Sequence, residues 1–240
     1  MAEHDDMPVS GRRDDLRVER IGPTYRFAAS DESLSAALVA AINAMGGTGD
    51  DAEDRYQRQL DILRERASDV VRALADEYTS LDEHAYVDRW ALLHLAGEMR
   101  LPDSIGFFDR VLSAETPEER WPDGHDYSSR AEEVLLCTTA VDGLEQLLAG
   151  GRFASDALGI LVRHVTHPEF SVRRAAVQAV VASGDEQAIG AVRDRLHERA
   201  EGWLLEVRRV PVDSVPQADG ERYLLHPDAI PDVPPPGQPG

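Results

Sequence analysis

The chain has 240 residues, 42% hydrophobic and 29% charged, which suits a globular protein and excludes disorder throughout. Its 45 acidic residues outnumber 25 basic ones, all arginine, for a formal net charge of −20; a field of that sign repels phosphate backbones, which excludes nucleic acid and favours a basic protein partner. One cysteine, Cys137, excludes an internal disulfide or a Cys-based zinc knuckle, and no stretch nears the roughly 18 apolar residues of a membrane span.

Residues 1–29 are polar and acidic and lack the apolar core of a secretory signal, so a cytoplasmic location is expected. Only the patch IGPTYRFAA at 21–29 is apolar, and it is expected to dock as an extended segment on the first helices. From Ser30 a helical pattern begins, with Leu34, Ala37, Leu38 and Ile42 on one face and Gly46-Gly47 as its stop. Tyr56, Leu60, Leu63, Ala67, Val70, Leu74 and Tyr78 follow at spacings of three and four. They predict one long helix over 52–78, whose heptad-like register also admits a coiled-coil seam.

Ser80 with Glu83 makes a capping box for the next helix, since hydroxyl and carboxylate each satisfy an orphan backbone N–H. Thr116–Glu119 and Ser129–Glu132 carry the same start signature. Cys137 lies in the apolar run VLLCTTAV and is expected to be a buried thiol. Eight of the 14 prolines lie in 211–240, so this tail is expected to be extended and partly disordered.

Within HPEFSVRRAAVQAVVASGDEQAIGAVRDRL, residues 167–196, Val172, Ala175, Ala176, Ala179 and Val180 share one helical face. After Ser183-Gly184-Asp185, Ile189, Val192 and Leu196 predict a second, antiparallel helix. Three octets share an aliphatic-glycine-apolar order: IGFFDRVL at 105–112, LGILVRHV at 158–165 and IGAVRDRL at 189–196. A mid-helix glycine costs about 1 kcal/mol against alanine, so its recurrence predicts close approach of a neighbouring helix. Arg89, Arg130 and Arg174 each open an apolar run at intervals of 41 and 44 residues, the period of a two-helix repeat.

The unit at 167–196 resembles a bacterial HEAT repeat, of the type also found in phycobilin-lyase-like proteins. The residues that carry the likeness are Pro168, Val172-Arg173, Ala175-Ala176, Val177, Val180, Gly184-Asp185, Ala188 and Leu196. The resemblance is fair over 86–112 and weak over 128–166. It implies an all-α chain with degenerate repeats, a right-handed α-solenoid of antiparallel helical hairpins over 30–210. The second helices would then line a concave, protein-binding face.

Chemistry-bearing clusters are sparse. His164 and His167, with Glu169 near, have the spacing of a metal pair, but Pro168 ends the helix between them and no third ligand follows. His125-Asp126 sits in the turn sequence WPDGHDYSS, and His197-Glu198 is a lone dyad. No phosphate-binding glycine loop or nucleophile elbow is present, so no catalytic residue, metal or cofactor is expected.

The expected function is a non-enzymatic protein-interaction or adaptor module. A narrower form is an acidic, immunity-type neutraliser of a basic protein, and the competing class is an enzyme or tetrapyrrole-handling lyase on the same scaffold. A helical dimer through 52–78 is a third possibility. The binding residues expected on the second helices are Asp109, Arg110, Arg163, Arg193 and Arg195, joined by Trp203, because arginine and tryptophan dominate interface hot spots. Trp90 is expected in the core.

Overall fold

A computed structural model describes residues 25–28, 30–82, 84–119, 129–149 and 154–207. Among these the chain is all-α, with nine α-helices, two short 3-10 helices and no strand. The proline-rich tail, His125-Asp126 and Glu83 lie outside the described residues. Contacts divide the chain into two units, Met1–Ala157 and Leu158–Gly240.

In the first unit, α1 (Glu32–Met45) starts where Asp31 accepts a hydrogen bond from the Leu34 N–H at 2.8 Å and stops at Gly46, as its pattern predicts. The single helix expected over 52–78 is instead two, α2 (Ala52–Arg64) and α3 (Ala67–Ser80). Arg66 leaves helical geometry at φ −125°, ψ 39°, and its guanidinium grips the α1 cap Asp31 at 2.7 and 3.1 Å. Neither glycine nor proline marks the break. A straight helix of that length would run about 40 Å at 1.5 Å per residue, far past α4 (Tyr86–Met99), whose 14 residues span about 21 Å. Breaking the rod lets Leu60 and Leu63 of one piece and Val70 and Leu74 of the other all be buried, and both pieces pack on α4.

Ser80 does not open α4. It is the last residue of α3, and its hydroxyl donates to the Glu77 carbonyl at 2.9 Å. Asp82 supplies the turn instead, accepting the His84 N–H at 2.9 Å, and Ala85 precedes α4 without a side-chain cap. Thr116–Glu119 likewise begin no helix within the described residues. After the 3-10 helix Pro102–Ser104 come α5 (Ile105–Ser113) and α6 (Ser129–Ala149), which begins at the predicted Ser129 and buries Cys137.

The glycines that set helix contacts are not those of the octets. A Cβ added at Gly106, Gly159 or Gly190 would meet nothing within 4 Å. At Gly97 of α4 it would lie 3.4 Å from the Gly143 Cα of α6, and at Gly143 it would lie 2.5 Å from Cζ of the fully buried Phe108 of α5. Three helices therefore meet where two side chains are missing.

Before α1, residues 25–28 are held on α3 by Glu77. This buried carboxylate accepts the Arg26 N–H at 2.7 Å and the Phe27 N–H at 2.6 Å. Phe27 is 2% exposed and takes a positive φ of 39°, a conformation sustained by that double bond.

In the second unit, α7 (Ala154–His164) runs across the division and is followed by α8 (Phe170–Ser183), α9 (Glu186–Glu198) and the 3-10 helix Gly202–Glu206. Gly184 ends α8 in the left-handed region at φ 69°, and Asp185 caps α9 by accepting the Ala188 N–H at 2.8 Å, so both halves of the Gly-Asp turn have a defined task. All five predicted face residues of α8 are buried, as is Val177. Arg173 is also buried. Its guanidinium donates to the carbonyls of His167 at 2.6 Å and Pro168 at 3.1 Å and to Glu201 at 2.9 Å, tying the α8 entry to the last 3-10 turn.

Gly143→Ala is expected to destabilise the first unit by about 1–3 kcal/mol through overpacking against Phe108, with Phe108→Leu recovering part of the loss. Gly190→Ala, in open space, should instead stabilise α9 by up to about 1 kcal/mol; denaturant melts of the variants compare the two signs. Arg173→Lys should loosen α8 nearly as much as Arg173→Met, because one ammonium cannot span two carbonyls and a carboxylate. Hydrogen exchange at the α8 and α9 amides reads this directly.

Candidate functional site

Where α4 begins and α6 makes its first turns, a groove of about 530 Å³ opens, lined by His84, Ala85, Tyr86, Val87 and Asp88 on one side and Ala131, Glu132 and Leu135 on the other. Its volume falls in the range of ligand-binding clefts. Val87 is 68% and Leu135 51% exposed, so two aliphatic side chains face solvent in one concavity.

The walls are fixed from beneath. Arg89, one residue past Asp88, forms a two-pronged ion pair with Glu133 of α6, its second nitrogen 3.2 Å from Oε2, and also donates to the Tyr78 hydroxyl of α3 at 2.8 Å. The arginine and glutamate side chains are only 12% and 16% exposed, and the guanidinium lies 4.7 Å from the Tyr78 ring centre. Burial pushes the Tyr78 phenol up to about 12. One planar cation thus ties three helices together next to the groove-lining Asp88.

The rim is acidic. Partial burial raises the Asp88 carboxyl above its ordinary range, opposed by the Tyr25 hydroxyl, which donates to Oδ1 at 3.4 Å. Burial and Glu132 together raise the Tyr86 phenol. Tyr25 itself stacks on Phe27, ring centres 5.6 Å apart, so the segment clamped by Glu77 ends at the lip of the groove.

None of the six residues expected from the sequence lines this groove. In the first unit Arg110 is exposed on α5 and Asp109 half-buried. In the second, Arg163, Arg193 and Arg195 are exposed, and Arg195 donates to the Val162 carbonyl at 2.7 Å, a tie to the last turn of α7. Trp203 is 52% exposed and stacks at 6.0 Å on Phe170, itself 43% exposed. Trp90 is half-buried against His94 at 5.0 Å rather than in the core.

The His164 and His167 rings lie 6.0 Å apart, with α7 ending at His164. Nδ1 of the buried His167 accepts the Glu169 N–H at 3.0 Å, a backbone contact rather than a ligand position. No group of three or more His, Cys, Asp or Glu able to hold a metal occurs among the described residues, and no described helix is long and apolar enough to cross a membrane. Compared with models of protein families, with curated proteins and with solved structures, the chain matches none.

The groove escaped sequence reading because Val87 and Leu135 look like ordinary members of apolar runs. Only the helix boundaries reveal that each points off the buried face.

A carboxyl held above its ordinary value favours its protonated form in the folded chain, so Asp88 costs stability as pH rises through that range and the cost is relieved as pH falls. Asp88→Asn is expected to hold or raise the melting temperature at pH 7, and its advantage over the wild type should shrink as pH falls and Asp88 itself becomes protonated, measured by thermal melts across pH 3–7.

Proposed function

We propose that the chain is a protein-interaction module, a right-handed stack of HEAT-type helical hairpins whose groove between α4 and α6 docks an apolar, basic segment of a partner protein. The observation that carries this reading is the exposure of Val87 and Leu135 on the two walls of one groove that the acidic residues Asp88 and Glu132 also line. Isolated surface aliphatics need no explanation, but a paired, concave, acid-rimmed set has the chemistry of a docking site. The net charge of −20 extends the same preference over long range by steering cations inward. A neutraliser of a basic toxin-like protein is a special case of this reading.

Support for the repeat architecture comes from a shared position. Arg89 and Arg173 are each the fourth residue of their helix, and each has a guanidinium largely shielded from solvent and paired with a glutamate, Glu133 and Glu201 respectively. The equivalence runs through Arg173 rather than the exposed Arg174.

The test compares the wild-type chain with Leu135→Glu and Val87→Glu, each tagged and used to capture partners from host lysate at low and high salt. Both positions are exposed, so the fold should change by no more than about 0.5 kcal/mol. One basic protein retained by the wild type, lost at high salt and reduced at least about tenfold by Leu135→Glu is the expected result. Equal capture by wild type and both variants removes the groove from the function.

A further inference from the structure

The groove has a candidate occupant in its own chain. The described residues begin at Tyr25, whose hydroxyl touches groove-lining Asp88, and Glu77 fixes the next two backbone N–H groups. Tyr25 thus stands at the groove's edge. Immediately upstream the sequence reads LRVERI, residues 16–21, then Gly22-Pro23.

This hexapeptide has the character the groove selects. Leu16, Val18 and Ile21 offer aliphatic side chains to Val87 and Leu135, and Arg17 and Arg20 outnumber Glu19 against Asp88 and Glu132. Gly22-Pro23, between the hexapeptide and Tyr25, is a dipeptide of turn-forming residue types. Reach is ample: Ile21 lies four residues and Leu16 nine residues from Tyr25, up to roughly 13 and 30 Å of extended chain at about 3.3 Å per residue.

We propose that residues 16–21 of the same chain dock in the groove between α4 and α6 and occupy the partner's place until a basic partner displaces them. This rests on reading the groove as a docking site. A tethered ligand acts at an effective concentration in the millimolar range for a short linker, so even weak contacts hold it, and a partner must outcompete it. The acidic rim then serves two basic ligands in turn.

The test uses the full chain with the photoreactive amino acid benzoylphenylalanine in place of Val18. After irradiation, peptide mapping should place the adduct within 84–88 or 131–135, and mixing two differently tagged copies should show it forming within one molecule. The adduct should be lost in the same chain carrying Leu135→Glu. Adducts elsewhere, adducts formed only between copies, or a yield unchanged by Leu135→Glu would overturn the proposal.

Partner capture keeps the two readings apart. If Leu135→Glu abolishes capture but position 18 never reaches the groove, the self-docking inference fails and the docking site stands. If the adduct forms as described while capture is unchanged by Leu135→Glu, the segment docks and the partner reading fails. With both in place, Arg17→Glu combined with Arg20→Glu should increase capture several-fold; unchanged or weaker capture would rule out competition for the groove.

Discussion

The first unit depends on how closely α4 and α6 can approach. Helix axes normally stand 8–10 Å apart because side chains hold them there. At Gly97 and Gly143 neither helix has a Cβ, and the notch left at Gly143 is filled by the tip of Phe108 from α5. From Ala91 onward α4 consequently buries most of its circumference, with Leu92, Leu93, Leu95, Ala96 and Met99 buried and only His94 and Glu98 half-buried before its end. α1, α2, α3 and α6 all pack on it, and the bend at Arg66 follows from the need to fit two helices along one short partner.

Polar ties then fix what apolar packing leaves free. A buried ion pair returns little net stability over a well-packed apolar pair, because desolvating both charges offsets their attraction. Its value is geometric: Arg89 on Glu133 and Tyr78 allows one register of α3, α4 and α6, and Arg173 on two carbonyls and Glu201 allows one exit for the chain after α9. Both tasks need a planar fork of donors. Arginine suits them better than a lysine point charge, and this chain contains no lysine.

Local signals were legible wherever local chemistry decided the outcome. Asp31 and the Gly184-Asp185 turn stand at helix ends as their side chains and backbone freedom dictate, and Gly46 follows the last residue of α1. Reading failed where a distant residue decided. Nothing near Arg66 breaks a helix; Asp31, 35 residues away, holds it out of helical geometry. The octet glycines repeat in sequence yet leave room for a Cβ, whereas Gly97 and Gly143 belong to no repeat and bring two helices together. A glycine's cost is visible in sequence, but its compensation lies in whichever helix happens to face it. The residues expected to bind, Arg110, Arg163 and Arg193 among them, are exposed but lie outside the groove, whose concavity depends on which helices face each other.

The pair that ties α4 to α6 stands next to the groove in sequence: Arg89 follows Asp88 and Glu133 follows Glu132, and the groove that these two carboxylates line also exposes Val87 and Leu135. Burying the two aliphatics against a ligand would release about 25 cal/mol for each Å² removed from water. Asp88 is already partly desolvated, so a cation placed beside it pays less of the usual dehydration cost than at an open surface. An acidic segment would meet like charge at both rims and gain only the apolar term. On the proposed reading, selectivity between basic and acidic ligands therefore comes from Asp88 and Glu132, and affinity from Val87 and Leu135.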